Sequence, residues 1–190
     1  MEDGGEPDAQ AITTSSPIGR SLDLAFDFAW QRFVGRVEGI DQDEFQWEPV
    51  PGCWTVRRTD DGSWIVDGGG GAAPQPDPPP VTTIAWRAAH VGRCLNLFTE
   101  RLFGRPPGSS GPEPSGDVAD LPAFAAACYR SWRAAVDSAR DDWWWQSLGP
   151  AWEPYADDNH VDVALHVLDE VVHHTAEIAL LRDLYPRRGR

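Results

Sequence analysis

Positive charge is in short supply in this chain: 16 Arg and Lys stand against 30 Asp and Glu, a formal net charge of −14. Phosphate recognition depends on clustered basic side chains, so no nucleic-acid partner is expected, nor docking on anionic lipid. The plainest meaning of the surplus acid is solubility. Long apolar runs are missing too. No stretch reaches the roughly 18 residues that a membrane-spanning helix needs. The chain does not open on a basic segment followed by an apolar one, and Cys53, Cys94 and Cys128 form no paired motif. A cytoplasmic protein with reduced, core-filling thiols is the expectation. A reactive role for Cys53, beside Gly52 and Trp54, is the lesser reading.

What is present suits one packed domain. The 190 residues are 41% apolar and include ten tryptophans, which belong mostly to the core and in part to a pocket wall. Residues 1–17 are small, acidic and without apolar period, and are expected to form a loose tail before a single domain over residues 18–185. Leu22, Phe26, Ala29, Phe33 and Val37 then recur at spacings of three and four, a first amphipathic helix that Gly39 should stop.

Residues 41–51 read as an ordered, non-helical connector. Two β-prone runs around Asp60-Asp61-Gly62 predict a small hairpin. The glycines and prolines of residues 68–80 predict an irregular surface loop. A second helix is expected over residues 83–103, with Ile84, Val91, Leu95, Phe98 and Leu102 on its stripe. After a loop over residues 104–116, a third should cover residues 121–139, with Pro122 in its first turn. Residues 143–152 form an aromatic connector. A fourth helix starts near Asn159, an N-cap with Asp162 three residues on, and runs to Leu184. The fold class is all-α: a four-helix bundle with one hairpin. Its connections are long enough that at least one should cross the bundle or its end.

The chemistry is concentrated in the segment from His166 to Glu177. Residues four apart on a helix are offset by only about 40°, so Glu170 and His174 project side by side. On a helical wheel His174 falls within the apolar arc and Glu170 at its border. His166, His173 and Glu177 fall on the polar side. A carboxylate and an imidazole aimed at a core need a partner, and His90, on the shoulder of the second helix's stripe, offers one. His90, Glu170 and His174 would make a two-histidine, one-carboxylate set with open positions, suited to zinc and, with more open positions, to iron, nickel or manganese. A hydrogen-bonded Glu-His pair without any ion fits the spacing equally well. His166 is the second choice of ligand, His160 is assigned to solvent or capping, and His173 to the surface.

Three patterns together resemble the DinB-like superfamily. They are Trp86-Arg-Ala-Ala-His90, Glu170-Val-Val-His173-His174-Thr-Ala-Glu177-Ile178 followed by Leu181-Arg182, and the upstream Trp47-x-Pro49-x-Pro51-Gly52-x-Trp54. The likeness covers residues 18–185. It implies a four-helix bundle with a metal held by one histidine of the second helix and a pair on the last. One departure stands out: Glu170 occupies the place where many relatives have the first histidine of that pair. In this the chain is similar to the mycothiol-dependent maleylpyruvate isomerases, whose zinc set is His, Glu and His.

The resemblance implies a divalent cation, zinc foremost, and a small-molecule substrate. Mycothiol is the thiol cosubstrate that the loop composition, suggestive of a high-GC genome, would favour. Three functions stay open at this point: a thiol S-transferase or isomerase, a metal-dependent hydrolase, and a non-catalytic protein that binds a small ligand or stress signal, as a homodimer through its bundle faces. In the first, Trp86, Trp54 or the Trp143–Trp145 run would wall the pocket. In the second, Glu177 is the nearest candidate base, at an unfavourable wheel angle.

Overall fold

A computed structural model describes residues 16–71, 74 and 76–189. The expected tail lies outside the described residues except for Ser16 and Pro17, which already belong to the first helix. The Ser16 hydroxyl caps it, accepting from the Gly19 N–H at 2.9 Å, and Pro17 occupies its first turn. The elements are α1 (Pro17–Val37), α2 (Gln42–Phe45), β1 (Val56–Arg58), β2 (Trp64–Val66), α3 (Ile84–Leu102), α4 (Leu121–Ser138), α5 (Asp141–Trp144) and α6 (His160–Leu184). α1, α3, α4 and α6 are the four expected helices, and the fold is an all-α bundle with one small hairpin.

Side-chain partners fix how the helices run. Arg36 of α1 bonds to the Ala179 carbonyl and to Asp183 at the end of α6, so those two helices run alongside in parallel. Arg87, His90 and Phe98 of α3 meet Glu177, Glu170 and His166 of α6 in turn, so that pair is antiparallel. α4 packs on α3 and α1, while α3 packs on α6 and α4. α1 and α3 therefore face each other diagonally, and so do α4 and α6. α3 and α4 are neighbours that point the same way, with Gly92 against Phe124 and Arg105 near Ser131. The segment 103–120 must therefore return along the bundle, which is the long connection the loop lengths implied.

The core follows the stripes. Leu22, Phe26, Ala29 and Phe33 of α1 are buried, as are Ile84, Val91, Leu95 and Leu102 of α3. Phe98 is only half-buried. Burying a Phe or Leu side chain contributes about 1.5–3 kcal/mol each, so these stripes supply much of the drive to fold. The Asn159 N–H donates to the Asp162 carboxylate at 2.8 Å, the reciprocal cap expected for α6.

Two expectations need correcting. Residues 41–51 contain a helical turn, α2, because the Asp41 carboxylate caps it at 2.8 Å and Glu44 is drawn inward by Arg182. Arg182 grips both Glu44 oxygens, at 2.9 and 3.1 Å, and donates to the Glu38 carbonyl. The glycine run is not wholly irregular either. Gly68, Gly69 and Gly70 have φ of 60, 64 and 68° and form a left-handed turn tucked against α3, with Gly70 buried. Only glycine takes such a run without steric cost.

Candidate metal centre

α3 and α6 bring His90, Glu170 and His174 together. One ligating atom from each lies within 4.8 Å of the others. The Glu170 Oε2 stands 2.8 Å from His90 Nε2 and 3.2 Å from His174 Nε2, and the two imidazoles meet edge to face at 4.4 Å. All three side chains are mostly withdrawn from solvent, His174 at 12% exposure.

The second nitrogen of each ring decides the chemistry. His90 Nδ1 is 2.7 Å from the Gly70 carbonyl oxygen, an atom that only accepts, so Nδ1 carries the hydrogen. His174 Nδ1 is 2.7 Å from Glu177 Oε2. The Arg87 guanidinium also comes within 3.0 Å of that nitrogen, but it has only hydrogens to give, and it sits equally near Glu177 Oε2. The Glu177 oxygen therefore accepts from both, and His174 Nδ1 is protonated. Both Nε2 lone pairs then point at one carboxylate oxygen.

Three electron-rich atoms at 2.8 and 3.2 Å repel unless something positive lies among them. Either an ion or a shared proton answers that need. In the metal-free site, bonds to His174 and His90 hold the Glu170 carboxyl far below its usual range, against the opposing effect of burial. Burial pushes the His174 imidazole down, but its bonds to Glu170 and Glu177 outweigh this and leave it above its ordinary value. The two carboxylate-to-imidazole separations fit a tetrahedral ion with little movement. Zinc-to-nitrogen bonds of about 2.0–2.1 Å place neighbouring ligands about 3.3 Å apart, a few tenths of an ångström wider than seen here.

The local sequence explains the rigidity. The His90 ring lies flat on Trp86, planes 4° apart at 5.2 Å, and the Trp86 indole N–H donates to the Asp67 carbonyl at 2.8 Å. Trp54 packs on the other side of this layer, against Trp86 and Gly68. The left-handed turn is thereby pinned where its Gly70 carbonyl meets His90. A Cβ on Gly71 would come within 3.0 Å of the His90 ring.

His90 and Glu170 also line a cleft of about 440 Å³ with Arg93, Cys94, Leu97, Phe98 and His166. Positions left open on an ion would therefore face a space of small-molecule size. Burial and the Glu170 charge push the Cys94 thiol far up, so it lines the cleft as a neutral, unreactive group. Cys53 is buried as well, with its pKa raised by burial.

A model of the DinB superfamily matches residues 25–178. The chain belongs to the DinB superfamily. Members of this superfamily often bind metal, and the His90, Glu170 and His174 cluster lies within the DinB match. No curated protein matches the chain. Among the described residues, no helix is long and apolar enough to cross a membrane.

Several assignments change within this DinB site. Glu177 lies on the polar side as expected, 33% exposed, yet it bonds His174 from behind, on the side away from Glu170, where it cannot serve a reacting water. Arg87, which belongs to no apolar stripe, lies one turn before His90 and holds Glu177 at 3.0 Å. The Trp143–Trp145 run does not wall the cleft: Trp144 is fully buried, Trp143 stacks on His160 at 4.0 Å, and Trp145 is exposed. His160 also bonds the Trp143 carbonyl at 2.9 Å instead of facing water alone. His173 is exposed as expected, and His166 stands at the edge of the cleft outside the trio.

Proposed function

We propose that this DinB protein is a metal-dependent enzyme that activates a low-molecular-weight thiol, mycothiol in the first instance, for S-transfer or isomerisation of a small electrophile. His90, Glu170 and His174 would hold a divalent ion, zinc before nickel, iron or manganese. The observation that carries this reading is the convergence of two imidazole lone pairs and a carboxylate on one point, with His90 and Glu170 in the wall of a cleft. Bound there, the ion would supply a Lewis-acid position at which a thiol loses its proton near neutral pH.

The chain's own residues supply the rest. Gly70 and Glu177 fix both imidazoles with Nε2 forward, a tautomer that needs no rearrangement when an ion binds. Glu170 offsets one positive charge of the ion and so keeps a bound thiolate more nucleophilic than an all-histidine set would. Trp86, buried and stacked on the His90 ring, covers one face of that ligand from water. Metal analysis of the purified protein tests the first step: about one ion per chain is expected, and His174→Ala should lose it. Metal-dependent consumption of mycothiol with a generic electrophile tests the second. A metal-loaded protein that turns over an ester with no thiol present would replace this reading with a hydrolase.

A further inference from the structure

A second cavity, of about 290 Å³, adjoins the cleft. Both have Phe98 and His166 in their walls. Past these two residues the wall carries the flat groups of Trp152, Tyr155 and Arg101 beside Asp158, Asp162 and Val163. The Phe98 and Trp152 rings are near-parallel, 18° apart with centroids at 6.5 Å, and His166 sets its edge on Phe98 at 5.5 Å. The Arg101 guanidinium lies over Trp152 at 3.9 Å from the ring centroid. Tyr155 completes the wall and is 61% exposed, an aromatic side chain left to solvent beside an open space.

The segment carrying Trp152 and Tyr155 is held in place by backbone bonds. The Leu148 N–H donates to the Asp158 carbonyl at 2.8 Å, and the Gly149 N–H to that of Ala156 at 2.9 Å. The wall is therefore preformed.

We propose that this cavity is a substrate subsite for an uncharged aryl group, joined by a linker to the end of the same molecule that reaches the metal centre. The inference rests on the metal reading above and adds the substrate's shape. From Glu170 to Asp162 is eight residues of α6, and from His90 to Phe98 eight of α3, about 12 Å along either helix. The molecule is thus elongated, with a coordinating head and an aryl tail about 12 Å apart. Ring and guanidinium faces favour a flat partner over a flexible chain. Asp158 and Asp162, which also line the cavity, disfavour a carboxylate on that partner.

Three hydroxamates test this on the zinc-loaded protein by calorimetry: acetohydroxamate, an alkyl hydroxamate with about six methylenes to match the 12 Å span, and the same chain ending in phenyl. The phenyl compound should bind roughly tenfold tighter than the plain chain. That gain should vanish in Trp152→Ala while acetohydroxamate binds as before. Tyr155→Ala, at an exposed position, should reduce the gain too and serves if the tryptophan variant does not fold. The indole N–H resonance of Trp152 should shift only with the phenyl compound. Equal affinities for the two long compounds, or no movement of that resonance, overturn the subsite. If acetohydroxamate fails to bind the zinc-loaded protein while the phenyl compound still moves the resonance, the metal reading falls and the aryl site stands.

Discussion

Two polar clusters lie on different seams of this bundle, and they contain similar groups arranged to opposite ends. Between α1 and α4, Arg133 reaches Asp23 and Asp27, and the Tyr129 hydroxyl donates to Asp27 at 2.5 Å. Between α3 and α6, Arg87 and two imidazoles meet Glu170 and Glu177. With neutral histidines, each seam carries two carboxylates and one guanidinium. In the first, the guanidinium and the hydroxyl face carboxylates, the one opposite in charge and the other able to donate, and the cluster ties two helices together. In the second, the hydrogens have been turned outward to Gly70 and Glu177, and the lone pairs are left facing Glu170. The first cluster is complete with its own groups, whereas the second leaves a position that a shared proton or an ion would complete.

The sharpest break between the two is stability with and without metal. Zinc at about a thousand times its dissociation constant should stabilise the wild-type protein by about 4 kcal/mol, raising the melting temperature by roughly ten degrees. His174→Ala should abolish that rise. Scanning calorimetry with zinc and with chelator measures both, and an equal rise in the variant would refute the trio. Arg133→Met should do the reverse. It strands the buried Asp23 carboxylate and costs about 3 kcal/mol, while the zinc-dependent rise stays at its wild-type size. A variant that lost zinc binding as well would show that the seams are not independent.

The α1–α4 seam and the α3–α6 trio were not equally visible in the sequence. The apolar stripes of α1 and α3, the Asn159 and Asp162 cap and the hairpin follow from local spacing alone. The trio followed from one more step, since a carboxylate and an imidazole four residues apart on an inward face demand a partner. The groups behind the trio were hidden because they act against the pattern. Glu177 lies on the polar side by wheel angle, yet its longer side chain reaches back three residues to His174. Arg87 belongs to no apolar stripe. The Gly68–Gly71 turn has no periodicity to read, and its role appears only when the Gly70 carbonyl lands on His90. Aromatic density misled in the opposite direction, since Trp143 and Trp144 pack around Phe103 and the start of α6, away from the cleft.

Glu177→Gln sharpens the comparison at smaller amplitude. An amide can present its oxygen to His174 Nδ1 or its NH2, and it no longer balances Arg87, so the Nε2-forward tautomer is less firmly held. Outer carboxylates of this kind typically contribute 10- to 100-fold in metal affinity. Competition with a chromogenic chelator should show a loss in that range, together with a small loss of stability in chelator, because Glu177 also pairs with Arg87. A loss below about threefold, well short of that range, would reduce Glu177 to a surface ion pair for Arg87.

The smallest effect is a pH dependence that metal should reverse. A histidine whose folded pKa is raised stabilises fully below its unfolded value and loses that contribution as pH climbs through the folded one. His174 is such a group. Glu170 and Glu177 are held low, so their contribution is complete above their unfolded values and lost only in acid. Chelator-treated protein should therefore melt highest between about pH 5 and 6.5 and decline by a few degrees towards pH 8.5. Zinc takes the place of the shared proton, so in its presence the decline should disappear and affinity should rise with pH. A flat profile in chelator would mean that no proton is shared among the three donors, and the lone-pair argument would then have to find its positive charge elsewhere.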